Sequence, residues 1–341
     1  MNLVKKIREN IFRHELFPRR VSAKGGSASG GKIVVGVSGG PDSVCLLDVF
    51  CKLREKYNFK ITVAHVNYNL RGKDSEKDEQ LVRKMAEKYS LPIEIKKVTS
   101  YKLQVTRSED HLRQIRYDFF EKIRKKHKAN AIAVGHNLND QAETVLMRIL
   151  RGTGLRGLGA IKFSTSSGPT ARPKRNADGP PIIRPLLNIP RKDILAHLLR
   201  NKVPYRIDKT NLRIDFTRNK IRNQLLPNLE KNFNPNIQET LYRLSQSMAD
   251  DYDFLNRYAR EWLAVNKMIK VSRLNQLHPA IEREVIRLVI ERHNPNLREI
   301  ESAHIEEVLK ILKSSKSKRQ KIVFKSLKVN RIGDKLIIRK L

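Results

Sequence analysis

An α/β fold built on a parallel sheet, followed by a smaller helical domain and a short basic tail, is what this 341-residue sequence predicts. Three observations carry the prediction. Short β-branched apolar runs alternate with segments of helical spacing as far as residue 150, the pattern of strands joined by crossover helices. A glycine-rich loop follows the first of these runs and opens the first helix, where open α/β sheets bind ligands. Beyond residue 217 the strand signals fade and only helical periodicities follow until the tail.

Taken in order, residues 3–17 have the spacing of a short amphipathic helix, and the Gly/Ser-rich stretch 22–31 reads as a flexible loop. Lys32-Ile-Val-Val-Gly-Val37 is too short and too β-branched for a helix and reads as a buried strand. Strands are likewise expected at 61–66, 93–98 and 131–135, with helices at 46–57, 74–90, 108–127 and 140–150. Residues 163–181 hold four prolines, two glycines and a Ser/Thr cluster, so a mobile insertion is expected there. Helical spacing returns at 190–201, 217–228, 236–265, 279–293 and 298–313, and short strands are expected at Ile322–Phe324 and Leu336–Ile338. The expected divisions are 1–31 for an N-terminal helix and loop, 32–216 for the nucleotide domain, 217–314 for the helical domain and 315–341 for the tail.

Charge speaks to partners. Lys and Arg number 70 against 35 acidic residues, a formal net charge of +35. The polyanion most often met by a soluble basic protein is nucleic acid. No run of about 18 apolar residues occurs, so a membrane span is not expected; mean hydropathy is -0.53. No secretory pattern opens the chain, and the expected location is the cytoplasm. Cys45 and Cys51 form no Cys-x-x-Cys pair, so they read as small buried hydrophobes, not metal or redox ligands. The oligomeric state stays open, a homodimer included.

The loop Ser38, Gly39, Gly40, Pro41, Asp42, Ser43 is the first candidate site. Glycines let backbone N–H groups approach phosphate, and the following helix N-terminus adds unpaired donors and positive partial charge. Ser38 and Ser43 supply hydroxyls. Asp42 would repel phosphate unless Mg²⁺ lay between them, which points to a metal–nucleotide complex. A glycine turn with Asp42 or Ser43 as helix cap is the plainer alternative. Gly26-(x)4-Gly31-Lys32 is a decoy: it lacks the Ser/Thr after lysine, has Ile33 there, and precedes a strand where a Walker A loop follows one.

Ser-Gly-Gly-x-Asp-Ser after a first strand resembles the signature of the PP-loop ATP pyrophosphatases, an adenine nucleotide alpha hydrolase-like fold. That resemblance implies cleavage of ATP between its α- and β-phosphates, transfer of AMP to a substrate oxygen, and displacement of AMP by a nucleophile.

A second block, His136-Asn-Leu-Asn-Asp-Gln-Ala-Glu-Thr144, follows the fourth strand. Asp140 and Glu143 are three apart, on one helix face, and His136 stands at the strand's end. A base and two carboxylates there suit a cationic amine and its proton. Asp140-x-x-Glu143 also reads as a capping box. Further blocks are Ala64-His-Val-Asn67, Arg113-Gln-Ile-Arg-Tyr117, Met147-Arg-Ile-Leu-Arg-Gly-Thr-Gly-Leu-Arg-Gly-Leu158, Ile183-Arg-Pro-Leu-Leu187, Tyr205-Arg-Ile-Asp-Lys-Thr-Asn211 and Thr217-Arg-Asn-Lys-Ile-Arg-Asn-Gln-Leu-Leu-Pro227. In this order they resemble the tRNA(Ile)-lysidine synthetases over roughly residues 33–260.

The resemblance implies adenylation of O2 of the wobble cytidine in the CAU anticodon of tRNA(Ile), then attack on C2 by the ε-amine of free L-lysine, with ATP and Mg²⁺ as co-substrate and cofactor. It implies ATP-binding roles for Ser38–Ser43 and His65, and catalytic roles for Asp42, Arg113, His136, Asp140 and Glu143. Arg113 would neutralise charge as the α-phosphate is attacked. Asp140 and Glu143 would bind lysine, whose amine is protonated near neutral pH and must lose that proton. Arg151, Arg218 and Arg222 would bind tRNA; Arg218 and Arg222 are four apart on one helix face, placed to grip phosphates.

The usual family block is His-His-x-Asp-Asp-Gln-x-Glu-Thr, so Asn137 and Asn139 depart from it. A further large C-terminal domain of the kind some relatives carry is expected to be absent or reduced to the basic tail. The rival readings are another PP-loop enzyme such as a tRNA thiolase, a small-molecule synthetase of the same family, and a catalytically inert RNA-binding module. The first lacks suitably placed cysteines, the second does not call for +35, and the intact loop and acid pair speak against the third.

Overall fold

A computed structural model describes residues 3–16, 31–98, 109–165, 182–207, 217–293, 302–314, 320–324 and 326–340. The Gly/Ser loop below residue 31 and most of the insertion expected at 163–181 lie outside them. The chain forms two compact units that divide between Ser245 and Gln246.

In the first unit, α1 (Leu3–Arg13) precedes β1 (Lys32–Gly36), α2 (Pro41–Tyr57), β2 (Lys60–Asn67), α3 (Lys73–Lys88), β3 (Ile93–Lys97), α4 (Glu109–His127), β4 (Ala131–Ala133) and α5 (Leu138–Leu150). A short α6 (Leu155–Leu158), β5 (Ser164–Thr165), β6 (Ile182–Ile183) and α7 (Arg191–Arg200) follow. The strands form one sheet in the order β3-β2-β1-β4-β6-β5, parallel throughout except for the β5–β6 pair at its edge. The chain builds outward from β1 to β3, then returns to add β4 on the other side of β1. Strand order therefore reverses between β1 and β4, the switch point where such sheets bind ligands.

Alternation along the strands sorts two cores. Ile33, Val35, Ile61 and Val63 pack with residues of α1, α2, α3 and α7, whereas Val34 and Ala64 pack with Tyr117, Phe119, Phe120 and Ile123 of α4. Cys45 and Cys51 are buried free thiols on α2. Burial pushes both up, Cys51 to about 12, which suits inert packing.

The helical segment that begins at Thr217 belongs with this unit, although the sequence sets a boundary there. Thr217–Lys220 is α8; a π-helical turn spans Ile221–Leu225, and α9 spans Leu226–Asn232. Ile221 and Leu226 bury against Ala142 and Val145 of α5, together with Leu241 from the start of α10 (Ile237–Val265). Gln141 also donates a buried hydrogen bond to Ser245 Oγ at 2.8 Å. Periodicity marks where a helix starts, but not which core it joins.

The second unit carries the rest of α10, then α11 (Val271–Leu274), α12 (Pro279–His293), α13 (Ser302–Lys313), β7 (Gln320–Phe324), β8 (Leu327–Ile332) and β9 (Lys335–Lys340). The three strands form an antiparallel sheet. Phe324, Leu327, Val329, Leu336 and Ile338 share one core with α12 and α13. The segment expected as a tail with a hairpin is thus part of a folded core, and β8 was not anticipated. Leu327 and Val329 alternate with Lys328, a half-buried strand that a high density of lysine and arginine conceals.

Among described residues no helix is long and apolar enough to cross a membrane. The packing of α2 depends on Asp48, which is 2% exposed. It accepts hydrogen bonds from Nε2 of His197 and the Tyr89 hydroxyl, both at 2.7 Å, and lies 2.9 Å from Lys52 Nζ. Burial alone would raise its carboxyl, but these donors outweigh it and hold the group at about 2. Asp48→Ala is expected to lose about 3 kcal/mol of stability at neutral pH in denaturant unfolding, because three donors lose a buried acceptor. The contribution is complete above the unfolded carboxyl range near pH ~4 and vanishes as pH falls through about 2, so the two stability curves should converge in acid.

Candidate active site

The phosphate loop leaves the carboxyl end of β1 and enters α2 at Pro41, whose fixed φ suits a first helical position. Gly39 has φ +91°, which a side chain would strain. Ser43 Oγ accepts from the Ser38 N–H at 3.1 Å and donates to the Gly40 carbonyl at 3.0 Å, fixing the curl of the loop. No side chain caps α2 at Gly40, so the helix N-terminus keeps donors for an anion.

Over this loop lies a cavity of ≈ 200 Å³. Ser38, Gly40, Asp42 and Ser43 form one side; Gly36 and Val37 of the β1 end, and Val134, Gly135 and His136 after β4, form the floor. Val66, Tyr68, Arg116, Tyr117 and Phe120 complete it, giving apolar and aromatic walls beside a phosphate-sized cradle. Gly135 permits a close approach of backbone to backbone: a Cβ there would lie 2.9 Å from the Asp42 carbonyl carbon and 3.0 Å from the Ser43 nitrogen.

His65 does not line this cavity. Alternation on β2 turns Val66 toward it and His65 to the other face of the sheet, where His65 Nδ1 donates to the Val37 carbonyl at 2.8 Å. Its Nε2 is buried without a partner among the described residues, and burial lowers its pKa. Arg113 stacks over Tyr117 at 5.4 Å, while Arg116 from the same block lines the cavity. Burial pushes the His136 pKa down against the pull of Asp140, which favours the neutral imidazole, and its Nδ1 has no partner among the described residues. It offers a hydrogen-bonding ring beyond the end of β4.

Asp140 and Glu143 face Arg218 and Arg222. Arg218 Nε donates to Glu143 Oε2 at 2.8 Å and Nη2 to Asp140 Oδ1 at 3.0 Å. Arg222 Nε donates to Glu143 Oε1 at 2.5 Å and Nη2 to Glu143 Oε2 at 2.9 Å. Glu143 is 1% exposed, and a carboxylate so buried requires such partners. Burial works against charge on Asp140, but Arg218 and the other donors more than offset it and lower its pKa. Arg218 and Arg222 are raised in turn by these carboxylates, against the effect of burial. The arginines expected to grip tRNA phosphates are thus engaged with the acid pair, whereas Arg151 at the end of α5 is exposed.

The cap of α5 also differs from expectation. Asn137 is the N-cap and Asp140 its reciprocal partner: Asn137 Oδ1 accepts from the Asp140 N–H at 3.1 Å, and Asp140 Oδ2 accepts from the Asn137 N–H at 3.0 Å. Glu143 takes no part. Asn137 Nδ2 also donates to Asp42 Oδ1 at 2.8 Å, and Arg191 Nη1 lies 3.6 Å from Asp42 Oδ2. Arg191, the first residue of α7, belongs to none of the sequence blocks and reaches the site only through the fold.

Burial raises Asp42 to about 6, partly countered by Arg191. No cluster of three or more metal-ligating side chains occurs among the described residues. One carboxylate fits Mg²⁺ that takes its other ligands from phosphates and water, so the donor set suits a metal carried on a nucleotide and not a resident metal cage.

Gly135→Ala is expected to displace the first turn of α2, because the obstructing atoms are backbone. Equilibrium titration should then show ATP affinity reduced at least about tenfold, with a lowered Tm.

A sequence model of the PP-loop domain matches residues 2–229, and one of the TilS substrate binding domain matches residues 270–336. The chain is 35% identical over 349 residues to the tRNA(Ile)-lysidine synthase of Clostridioides difficile, covering 98% of this chain and 70% of that one. It is 38% identical over 317 residues to the tRNA(Ile)-lysidine synthase of Clostridium acetobutylicum, covering 89% of this chain and 65% of that one. It therefore spans about two thirds of these relatives' length. A solved structure of the U34-tRNA thiolase NcsA from Methanococcus maripaludis with its 4Fe-4S cluster superposes with a TM-score of 0.55 at 19% identity, over 72% of this chain and 79% of that one, a likeness of fold alone. With a phosphate loop at the switch point, a PP-loop match over residues 2–229 and 35–38% identity to curated lysidine synthases over most of its length, the protein belongs to the tRNA(Ile)-lysidine synthase family.

Proposed function

We propose that this chain ligates free L-lysine to C2 of the wobble cytidine in the CAU anticodon of tRNA(Ile), producing lysidine, AMP and pyrophosphate. The observation that carries the reading is the continuity of the rim. Asp42 of the phosphate loop, Asn137 and Asp140 form one hydrogen-bonded chain, and Asp140 joins Glu143 in the arginine cluster. An anion cradle and an amine-binding acid pair thus share one edge of the sheet.

In the first step cytidine O2 attacks the α-phosphorus of ATP; the new O–P bond forms as the bond to the β-phosphate oxygen breaks, and pyrophosphate leaves. Ser38, Ser43 and the N-terminus of α2 receive the phosphates, and the apolar and aromatic cavity walls take the adenine. Asp42 would hold a Mg²⁺ carried in with the nucleotide, which would neutralise phosphate charge. Arg116 on the cavity wall and Arg113 behind it oppose the charge that develops on the α-phosphate.

In the second step a carboxylate of the acid pair takes a proton from the lysine ammonium, the freed ε-amine attacks C2, the C–O bond breaks and AMP departs with the oxygen, and the nitrogen's second proton passes to solvent. The adenylate makes that oxygen a leaving group. Asp140 and Glu143 attract the lysine ammonium, which competes with Arg218 and Arg222 for the same oxygens. A guanidinium so released can take the α-carboxylate of lysine. Neutral His136 orients groups by hydrogen bonding. Arg151 and the exposed Lys321, Lys335, Arg339 and Lys340 of the β7–β9 sheet hold tRNA phosphates. A cytoplasmic location goes with these substrates.

The deciding experiment incubates the protein with ATP, Mg²⁺, labelled lysine and total tRNA and identifies the modified nucleoside. Lysidine in tRNA(Ile) is expected; a thiolated base, or no lysine incorporation, would overturn the reading.

Glu143→Gln is expected to raise the KM for lysine roughly 10- to 150-fold, the value of a charge-assisted hydrogen bond worth about 1.5–3 kcal/mol. Adenylated tRNA formation should change little. An unchanged KM would remove the acid pair from the amine site.

For tRNA, replacing Lys321, Lys335, Arg339 and Lys340 together with Gln should flatten the log affinity–log salt slope by up to about 3.6, at ~0.7–0.9 per phosphate contact. The preference for tRNA(Ile) should survive. These residues are exposed, so the substitution spares the core that deletion of 315–341 would remove.

A further inference from the structure

Asn137 stands where the usual family block has its second histidine, and neither the resemblance nor the domain matches give it a task. It is 1% exposed. Its side-chain amide joins two groups that belong to different parts of the site. Nδ2 donates to Asp42 Oδ1 at 2.8 Å, on the phosphate loop; Oδ1 accepts from the Asp140 N–H at 3.1 Å, in the first turn of the helix that bears the acid pair. The two ends cannot be exchanged. A turned amide would set its oxygen against the Asp42 carboxylate and its NH₂ against the Asp140 N–H, losing both bonds at once.

The second departure from the family block completes a ring. Asn139 Oδ1 accepts from the backbone N–H of Arg191 at 3.0 Å, which sets the start of α7. The Arg191 guanidinium in turn lies 3.6 Å from the other Asp42 oxygen. Asp42 is thus flanked on both oxygens by groups anchored to one turn of α5. A carboxylate at a helix N-terminus would otherwise have rotamers to choose from. The amide of Asn137 removes that choice.

We propose that Asn137 is a positioning residue: its amide fixes the Asp42 carboxylate relative to Asp140, so that the nucleotide and the attacking groups are held in one frame. The inference rests on the proposed reaction for its kinetic readout and on nucleotide binding for an independent one. A helix cap alone is the competing account, and the two separate by substitution.

Asn137→Ser and Asn137→Asp both keep a favoured N-cap acceptor. Neither keeps the amide donor, and aspartate adds a second carboxylate beside Asp42. Asn137→His restores a ring N–H that can face Asp42 but is a poorer cap. Full-length protein is assayed for Tm, for ATP affinity by calorimetry with and without Mg²⁺, and for tRNA-dependent AMP transfer in single turnover.

Positioning predicts that the serine variant melts within a few degrees of wild type, whereas the aspartate variant, which buries a second carboxylate beside Asp42, loses stability as well. It predicts about a tenfold lower rate of AMP transfer for serine and a larger loss for aspartate, with ATP binding in the presence of Mg²⁺ weakened severalfold in both. Histidine should show the reverse pattern, a lower Tm with much of the rate recovered. Serine and aspartate variants that match wild type in both rate and ATP affinity would overturn the proposal and leave the cap. Should wild-type protein bind ATP yet transfer no AMP to tRNA, the proposed reaction fails on its own, and the affinity series still decides the role of Asn137.

Discussion

A buried carboxylate sets the terms for this site. Glu143 is 1% exposed on α5, and an unpaired charge there would cost several kcal/mol. Arg218 and Arg222 meet that cost, and Asp140 shares them. The pairing draws α8 and the π-helical turn onto α5, where Ile221 and Leu226 complete a small core. The electrostatic requirement and the apolar contact thus reinforce each other, and a helical segment that sequence periodicity separates from the nucleotide domain joins it. A π-helical turn directly after Lys220 is in keeping with the placement of such turns at functional sites.

In the proposed reaction the same cluster would reconcile two demands of amine chemistry. Carboxylates attract a lysine ammonium, yet a strongly negative pocket would also hold its proton in place. Two guanidiniums beside the acids balance that charge. The cluster is near neutral as a whole, two carboxylates against two guanidiniums.

A close approach of backbones holds the other half of the site. Gly135, after β4, lets the chain pass against Asp42 and Ser43, so the loops on the two sides of the switch point meet without an intervening side chain. His136 and Asn137 follow at once. Asn137 then converts that approach into a hydrogen-bonded link between loop and helix. The low pKa of His136 is a consequence of the same tightness, since burial with little water favours the neutral ring.

Several features were legible in the sequence alone. The parallel sheet follows from β-branched runs alternating with helices, and the phosphate loop from glycines placed after the first strand. The excess of basic residues points to a nucleic-acid partner, and the ordered blocks point to the family. All are properties of local spacing or of composition. Which face a residue occupies, and what it meets there, depends on segments far away in the chain. Strand alternation puts Val66 and not His65 at the cavity, but only the packing of α4 shows which face of β2 the cavity is on. Asn137 as cap and link needs Asp42, 95 residues distant. Arg218 and Arg222 have the spacing of a phosphate grip, and a helix in isolation would present them to solvent. The tertiary structure turns them inward, because a carboxylate buried 75 residues earlier in the chain cannot remain charged without them.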